Sequence, residues 1–487
     1  MHFQEQIAAA SLALALAVVA PAASAAVDAA GVLRRAAAAM GASDLKSIGF
    51  AGSGTGATFG QAFTPGGPWP KLNYSSFARL ADYENGVLRE TFARSRAEPT
   101  GGGAVPLTGE QRLTTFVHGA SAWNLAGPVP TPAPVALNSR IHDLWTTPHG
   151  IIRAALKHKA TLTWRTLEGK EYAAVSFVEP GRFKATALID ENFFVAQVDA
   201  RVPHPVLGDT AILTTYAEYR DHGGVKFPAR IRQSAAGLPV LDIEVKEVQV
   251  NPPTDIRAPD VVRAATERVA VDKAAEGVWY LTGGSHHSVA IEMQDHLIVV
   301  ESPLYDGRTA AMLEAAGKLV PGKTVRYLVN SHPHFDHAGG LRTAAAAGVT
   351  LVVHARTKPY LQKVFANPNR ISPDLLAQSG RKAKFLAVEG KHVFKDATRS
   401  VEIHEIKDGV HSNAFLMVYL PAEKLLVEAD AFTPPAPGAK PPAQPNANHV
   451  NLADNIERLR LAVERIVPLH GRIVPLADLY EAIGRKP

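Results

Sequence analysis

The chain has 487 residues, 46% hydrophobic and 20% charged, a balance that excludes global disorder and a length that suits about three domains. Cysteine is absent, which removes disulfide frameworks, thiolate metal ligands and a cysteine nucleophile together. Lys and Arg outnumber Asp and Glu by 51 to 46, a net charge of +5, too slight an excess over this length to argue for a nucleic-acid partner.

Ile7 to Ala20 form an apolar run shorter than the ~20 residues a membrane-spanning helix needs. Small residues follow at Ala23-Ser24-Ala25, so residues 1–25 read as a secretory signal cleaved before Ala26, although the segment before the run carries Glu5 and no Lys or Arg. No other run is long enough to span, and the mature protein is expected in a bacterial periplasm or outside the cell. The lack of cysteine fits an oxidising compartment.

Residues 26–250 are expected to form a mainly antiparallel β domain of α+β type. A short helical pattern, Ala29 to Met40, is followed by strand-like stretches at Thr161 to Thr166, Tyr172 to Val178, Phe183 to Ile189, Phe193 to Val202, Ala211 to Tyr219, Phe227 to Gln233 and Leu241 to Val250, which suggests a sheet with some curvature. Glu168-Gly169 reads as a hairpin turn. The proline-dense Gly127 to Pro134 reads as an extended surface loop. Gly52-Ser53-Gly54-Thr55-Gly56-Ala57 matches a dinucleotide fingerprint nominally, but no helix follows it and the match is rejected. In general texture, and in Tyr219-Arg220 with Gly224-Val225-Lys226-Phe227-Pro228, this half is similar to the lipoprotein-carrier class of half-barrel periplasmic proteins. Prolines at 252, 253 and 259 mark residues 251–263 as a linker, leaving 264–487 as a second domain.

That second part alternates strand and helix. Strands are expected at Val278 to Leu281, Val289 to Met293, Leu297 to Val300, Val325 to Val329 and Thr350 to Val353, with helices near Arg308 to Leu319 and after Gly340: an α/β arrangement whose functional loops belong at the strands' carboxyl ends. At one such end stands Ser331-His332-Pro333-His334-Phe335-Asp336-His337-Ala338-Gly339-Gly340. Four candidate ligands crowd into six residues here, a costly cluster unless a cation organises it. His332 and His334 leave an extended segment on one side, while Asp336 and His337 can turn toward a second position. Imidazole and carboxylate suit zinc, with iron or manganese as other candidates. A solvated histidine run is the blander reading, and it lacks the strand before and the helix after.

These residues match the pattern H-x-H-x-D-H, and with them the sequence resembles the metallo-β-lactamase superfamily over about Ala264 to Lys486. Asp408-Gly409-Val410-His411 before a strand Ala414 to Leu420, Glu428-Ala429-Asp430 after a strand, and Pro468-Leu469-His470-Gly471 after a helix near Leu452 to Ile466 are similar to the family's later motifs, in the same order. The resemblance implies a four-layer αβ/βα sandwich and a dinuclear site: His332, His334 and His411 on one ion, Asp336, His337 and His470 on the other, and Asp430 between them. Two zinc ions so held would trap a hydroxide as nucleophile, which Asp336 would orient as the catalytic carboxylate. The chain departs from the family at Glu301, where Asp is usual, and at Thr433, where some lactonases have tyrosine.

The resemblance thus implies a secreted zinc hydrolase acting on an ester, thioester, lactone, lactam or sulfate-type bond of a small molecule. The alternatives are a mononuclear iron oxygenase of the same fold acting on persulfides, and a carrier of lipophilic ligands with a structural metal. His286 and His287 are candidate substrate contacts, against the plainer reading of a solvated turn. His354 is expected to be structural, and His392, His404 and His449 to lie at the surface. The proline-rich segment after Asp430 is expected to wall the pocket, and the apolar pairs between Lys358 and Lys382 to pack as core.

Overall fold

A computed structural model describes residues 28–97, 109–439 and 443–485; the expected export signal lies outside these residues. Among the described residues, thirteen strands between Ser47 and Val250 form one antiparallel sheet, in which the first strand, Ser47–Ala57, pairs with the last, Leu238–Val250. Helix Leu137–Trp145 touches both strand Val87–Arg96 and strand Val195–His204, which stand six places apart in the sheet order. At about 4.8 Å per strand a flat sheet would hold them nearly 30 Å apart, so the sheet curls around the helix. Helices Ala29–Ala39 and Pro148–Lys157 fill the same concavity with Phe77, Phe183 and Phe227.

Local chemistry explains the turns and the pairing. Glu168 and Gly169 both have positive φ, 50° and 78°, as a two-residue hairpin of the favoured hand requires. The glycine-rich run at 52–57 lies within strand Ser47–Ala57. A Cβ on Gly54 would come within 2.0 Å of the Asp242 carbonyl oxygen, so only glycine admits the neighbouring strand. The proline-dense stretch is not wholly a loop: Thr131–Pro132 pairs with Ser121–Leu125, and Pro134–Ala136 forms a 3-10 turn.

His149 lies buried in this concavity, stacked on Phe227 with its Nε2 3.3 Å from the Met40 carbonyl, and burial pushes it down to about 4 from an ordinary 6.5. Above pH 6.5 the ring is neutral folded or unfolded; between 6.5 and 4 only the unfolded chain takes the proton, so stability falls as pH falls through that window, by about 3 kcal/mol in all. His204, His287, His332 and His449 are depressed in the same direction, so His149→Gln is expected to remove only its own share, about 3 kcal/mol, of the fall seen in urea unfolding followed from pH 7 to 4. An unchanged slope contradicts the assignment.

From Ala270 onward the chain builds an αβ/βα sandwich. Among the described residues, seven strands form one sheet and six the other, and Ile298, Val300, Val329 and Val352 of the first face Val418 and Val427 of the second across a shared core. Strands Leu297–Val300, Val325–Val329, Thr350–His354 and Lys384–Val388 are parallel neighbours. All four residues of Leu297–Val300 are buried, as the two covered faces of a parallel sheet require. In the second sheet, Leu425–Glu428 and Arg465–Pro468 are likewise parallel. The helix before that last strand is Ala447–Leu459, ending where Arg460 turns left-handed at φ 53°, earlier than the periodicity suggests. No helix among the described residues is long and apolar enough to cross a membrane.

Candidate metal centre

Carboxyl ends of parallel strands converge on one place. Leu297–Val300 delivers Glu301, Val325–Val329 delivers Ser331 and His332, Leu425–Glu428 delivers Asp430, and Arg465–Pro468 delivers His470. His332, His334, His411 and Asp430 bring one ligand atom each within 4.8 Å of one another, as do Asp336, His337 and Asp430, and His286, His337 and His470. His332 Nε2 lies 3.0 Å from His334 Nδ1 and 3.1 Å from His411 Nε2. His337 Nε2 lies 3.2 Å from His470 Nε2. Asp430 stands between the groups: Oδ2 is 3.0 Å from His411 Nε2, and Oδ1 is 2.9 Å from His470 Nε2 and 3.3 Å from His337 Nε2.

The outward partners fix the tautomers. His334 Nε2 donates to the Ala62 carbonyl (3.1 Å) and His470 Nδ1 to the Ser285 carbonyl (3.0 Å). His337 Nδ1 donates to Glu301 (3.1 Å). Ser331 Oγ gives its single proton to Glu301 Oε2 (2.5 Å), and so accepts from His332 Nδ1 (2.9 Å). In its neutral form each ring would therefore turn a bare nitrogen inward, four lone pairs gathered around two carboxylates. Such a set fits divalent cations and repels itself without them.

The electrostatics agree. Burial, aided by its cationic neighbours, pushes His332 down to about 4 and His334 well below the usual range, keeping both neutral. Burial would also lower His337, but Asp430 and Asp336 outweigh it and raise the ring well above its ordinary value. The site draws positive charge to itself. Burial would raise Asp430 and Asp336, yet His337, with His411 for Asp430 and the His286 hydrogen bond for Asp336, holds both carboxyls ionised.

His286 and His287 part company. His286 Nε2 faces Asp336 Oδ2 at 3.3 Å, and its ring lies 4.2 Å from that of His470. His287 instead packs its ring against Tyr280 at 5.0 Å and lines a separate cavity with Arg472. Arg308, buried, donates to the carbonyls of Arg268, Thr282 and His286 and so pins the loop that carries Ser285 and His286. His354 is buried with Nε2 3.1 Å from Glu405. His404, expected at the surface, is buried and bonded to Glu402 at 2.9 Å, and His449 packs edge-on against Phe432.

Residues invisible to motif reading come from the first sheet. The loop after strand Ser47–Ala57 enters the site: Gln61 Nε2 donates to Asp336 Oδ1 (2.8 Å), Phe335 N to the Gly60 carbonyl (3.1 Å) and Asn413 N to the Phe63 carbonyl (3.0 Å). Phe59, Trp69, His204 and Phe335 pack ring to ring at 4.8 to 5.5 Å. Two His204 contacts, from Val206 N and Leu207 N, go to its Nδ1. A cavity of about 560 Å³ opens above Asp336, Asp430 and His470, and Thr433 of the proline-rich segment lines it.

Residues 281–476 match the family model described as Metallo-beta-lactamase superfamily. Solved structures similar to this chain include a metallo-beta-lactamase from Pontibacter korlensis (17% identity, 45% of this chain and 98% of that one, TM-score 0.34). Others are FIM-1 from Pseudomonas aeruginosa in its mono-zinc form (22%, 44% and 92%, 0.33) and an enzyme from Hirschia baltica (18%, 44% and 96%, 0.32). No curated protein matches. The sandwich with its histidine and aspartate cluster defines a metal-dependent hydrolase. This C-terminal region, residues 281–476, is similar to the metallo-beta-lactamase superfamily.

Proposed function

We propose that the chain is an exported dinuclear zinc hydrolase acting on an ester, thioester, lactone, lactam or sulfate-type bond of a small molecule. The reading is carried by one observation: the inward nitrogens of His332, His334, His337 and His470 converge on Asp430, whose two oxygens each face a different imidazole group. His332, His334 and His411 would hold one ion, Asp336, His337 and His470 the other, and Asp430 both. Such ions, when bound, polarise the substrate's oxygen and make water acidic enough to attack near neutral pH.

The protein's own groups then have separable tasks. Gln61 occupies Asp336 Oδ1 and leaves Oδ2 directed toward His337 and His286, where it can orient attacking water and accept a hydrogen bond from it. His286, beside both Asp336 and His470, is placed to donate to a leaving group. Ser285 and Ala62 carbonyls hold ring orientation without entering the chemistry.

The test is metal analysis with a hydrolysis panel on the zinc-loaded protein. About two zinc ions per chain and turnover of at least one of these bond classes are expected. One iron per chain with persulfide oxidation would overturn the reading.

A further inference from the structure

Half the wall of the cavity comes from outside the sandwich. Thr58, Phe59 and Gln61 reach it from the loop after Ser47–Ala57, Val135 from the turn Pro134–Ala136, and His204 with Pro205 from the end of strand Val195–His204. We propose that the N-terminal sheet is a working half of the active site, whose apolar wall receives an uncharged alkyl or aryl group carried beside the scissile bond. This rests on the hydrolase reading above for the bond, but not for the wall.

The docking is close. A Cβ on Gly60, at φ 85°, would sit 2.4 Å from the Phe335 ring, so the loop lies directly on the residue between His334 and Asp336. The hydrogen bonds from His334 to Ala62 and from Gln61 to Asp336 tie that loop to two metal-facing side chains. Truncating the sheet would therefore unmake the site as well as the wall.

The chemistry of the wall selects its guest. Beyond the carboxylate and imidazole end, Phe59, Val135, Pro205, Leu304 and Phe335 face the space, and among the described residues no Lys or Arg lines it. An anionic substituent remote from the ions would find no counter-charge there, whereas an apolar one would lose its water-exposed surface. Val135, 46% exposed at the rim, is a large apolar side chain that a guest would cover. The volume, about 560 Å³, falls within the roughly 300–1,000 Å³ usual for small-molecule sites.

Calorimetric titration of the zinc-loaded full chain with sodium acetate and sodium octanoate tests the wall, because the two probes share a carboxylate and differ only in chain. Octanoate is expected to bind at least about ten-fold more tightly. Phe59→Ser, and Val135→Ser at the exposed rim in case the first variant folds poorly, should each shrink that ratio several-fold; KM for p-nitrophenyl octanoate against acetate should follow. Equal binding of the probes by the unaltered protein, or an unchanged ratio in a folded Val135→Ser and Phe59→Ser, overturns the proposal. An octanoate preference in the unaltered protein, with none of the proposed bond classes turned over in the hydrolysis panel, supports the wall and overturns the hydrolase assignment instead.

Discussion

Asp430→Ala is expected to lower turnover by about three orders of magnitude or more, because several kcal/mol of transition-state stabilisation would depend on the ions proposed to bridge at it and each 1.4 kcal/mol is about a decade. Its oxygens lie 3.0 Å from His411 and 2.9 Å from His470, so one substitution weakens both imidazole groups at once. Asp430→Asn keeps the shape and removes the charge, and should lose less metal but comparable activity. Chelation of the unaltered protein should reach the same floor, and added zinc should restore only the unaltered chain. Metal content by mass spectrometry, measured beside kcat, checks this. An Asp430→Ala protein that retains two ions and kcat within ten-fold of the unaltered enzyme would contradict the bridging role.

What the sequence reveals follows from where the information sits. Ser331 to Gly340 concentrates its ligands in one segment at a strand end, and the buried parallel strands announce themselves as unbroken apolar runs such as Leu297 to Val300. Strand Lys71–Asp82 is harder to see, because a bulge between Tyr74 and Ser76 breaks the period of two. Helix Pro148–Lys157 does carry a start signal, Thr147 capping Gly150 N with Pro148 in the first turn, but His149, buried in that first turn, puts a polar residue on its inward face. His404, read as a surface residue, lies inside because Glu402, two residues back on the same face of its strand, satisfies it there. Least legible is the loop at 58–70. The group that orients His334 is the backbone carbonyl of Ala62, which any residue would supply, so no side-chain pattern could announce it.

Glu301 gives the second large effect, and its backbone supplies the control. The carboxylate is buried and accepts from Asn330 Nδ2 (2.8 Å), Ser331 Oγ (2.5 Å) and His337 Nδ1 (3.1 Å). Through Ser331 it also sets His332, so one side chain orients an imidazole in each group. Deleting it should weaken zinc binding by about 10- to 100-fold and leave three buried donors short of an acceptor at about 1–3 kcal/mol each. Its φ of 74° lies where alanine is strained and glycine is not. Glu301→Gly therefore removes the carboxylate and relieves the backbone strain that Glu301 already bears, whereas Glu301→Ala removes the carboxylate and keeps that strain. Glu301→Gln should be mildest, since Asn330 can reverse its amide to meet the new NH2, giving up only its 3.2 Å bond to the His337 carbonyl. Zinc affinity by competition with a chromophoric chelator, beside thermal unfolding, separates these contributions. Affinity should rank native, Gln, then Gly with Ala, while stability should place Ala below Gly. Zinc affinity within two-fold of native in a folded Glu301→Gly would mean that the histidines are oriented without this carboxylate.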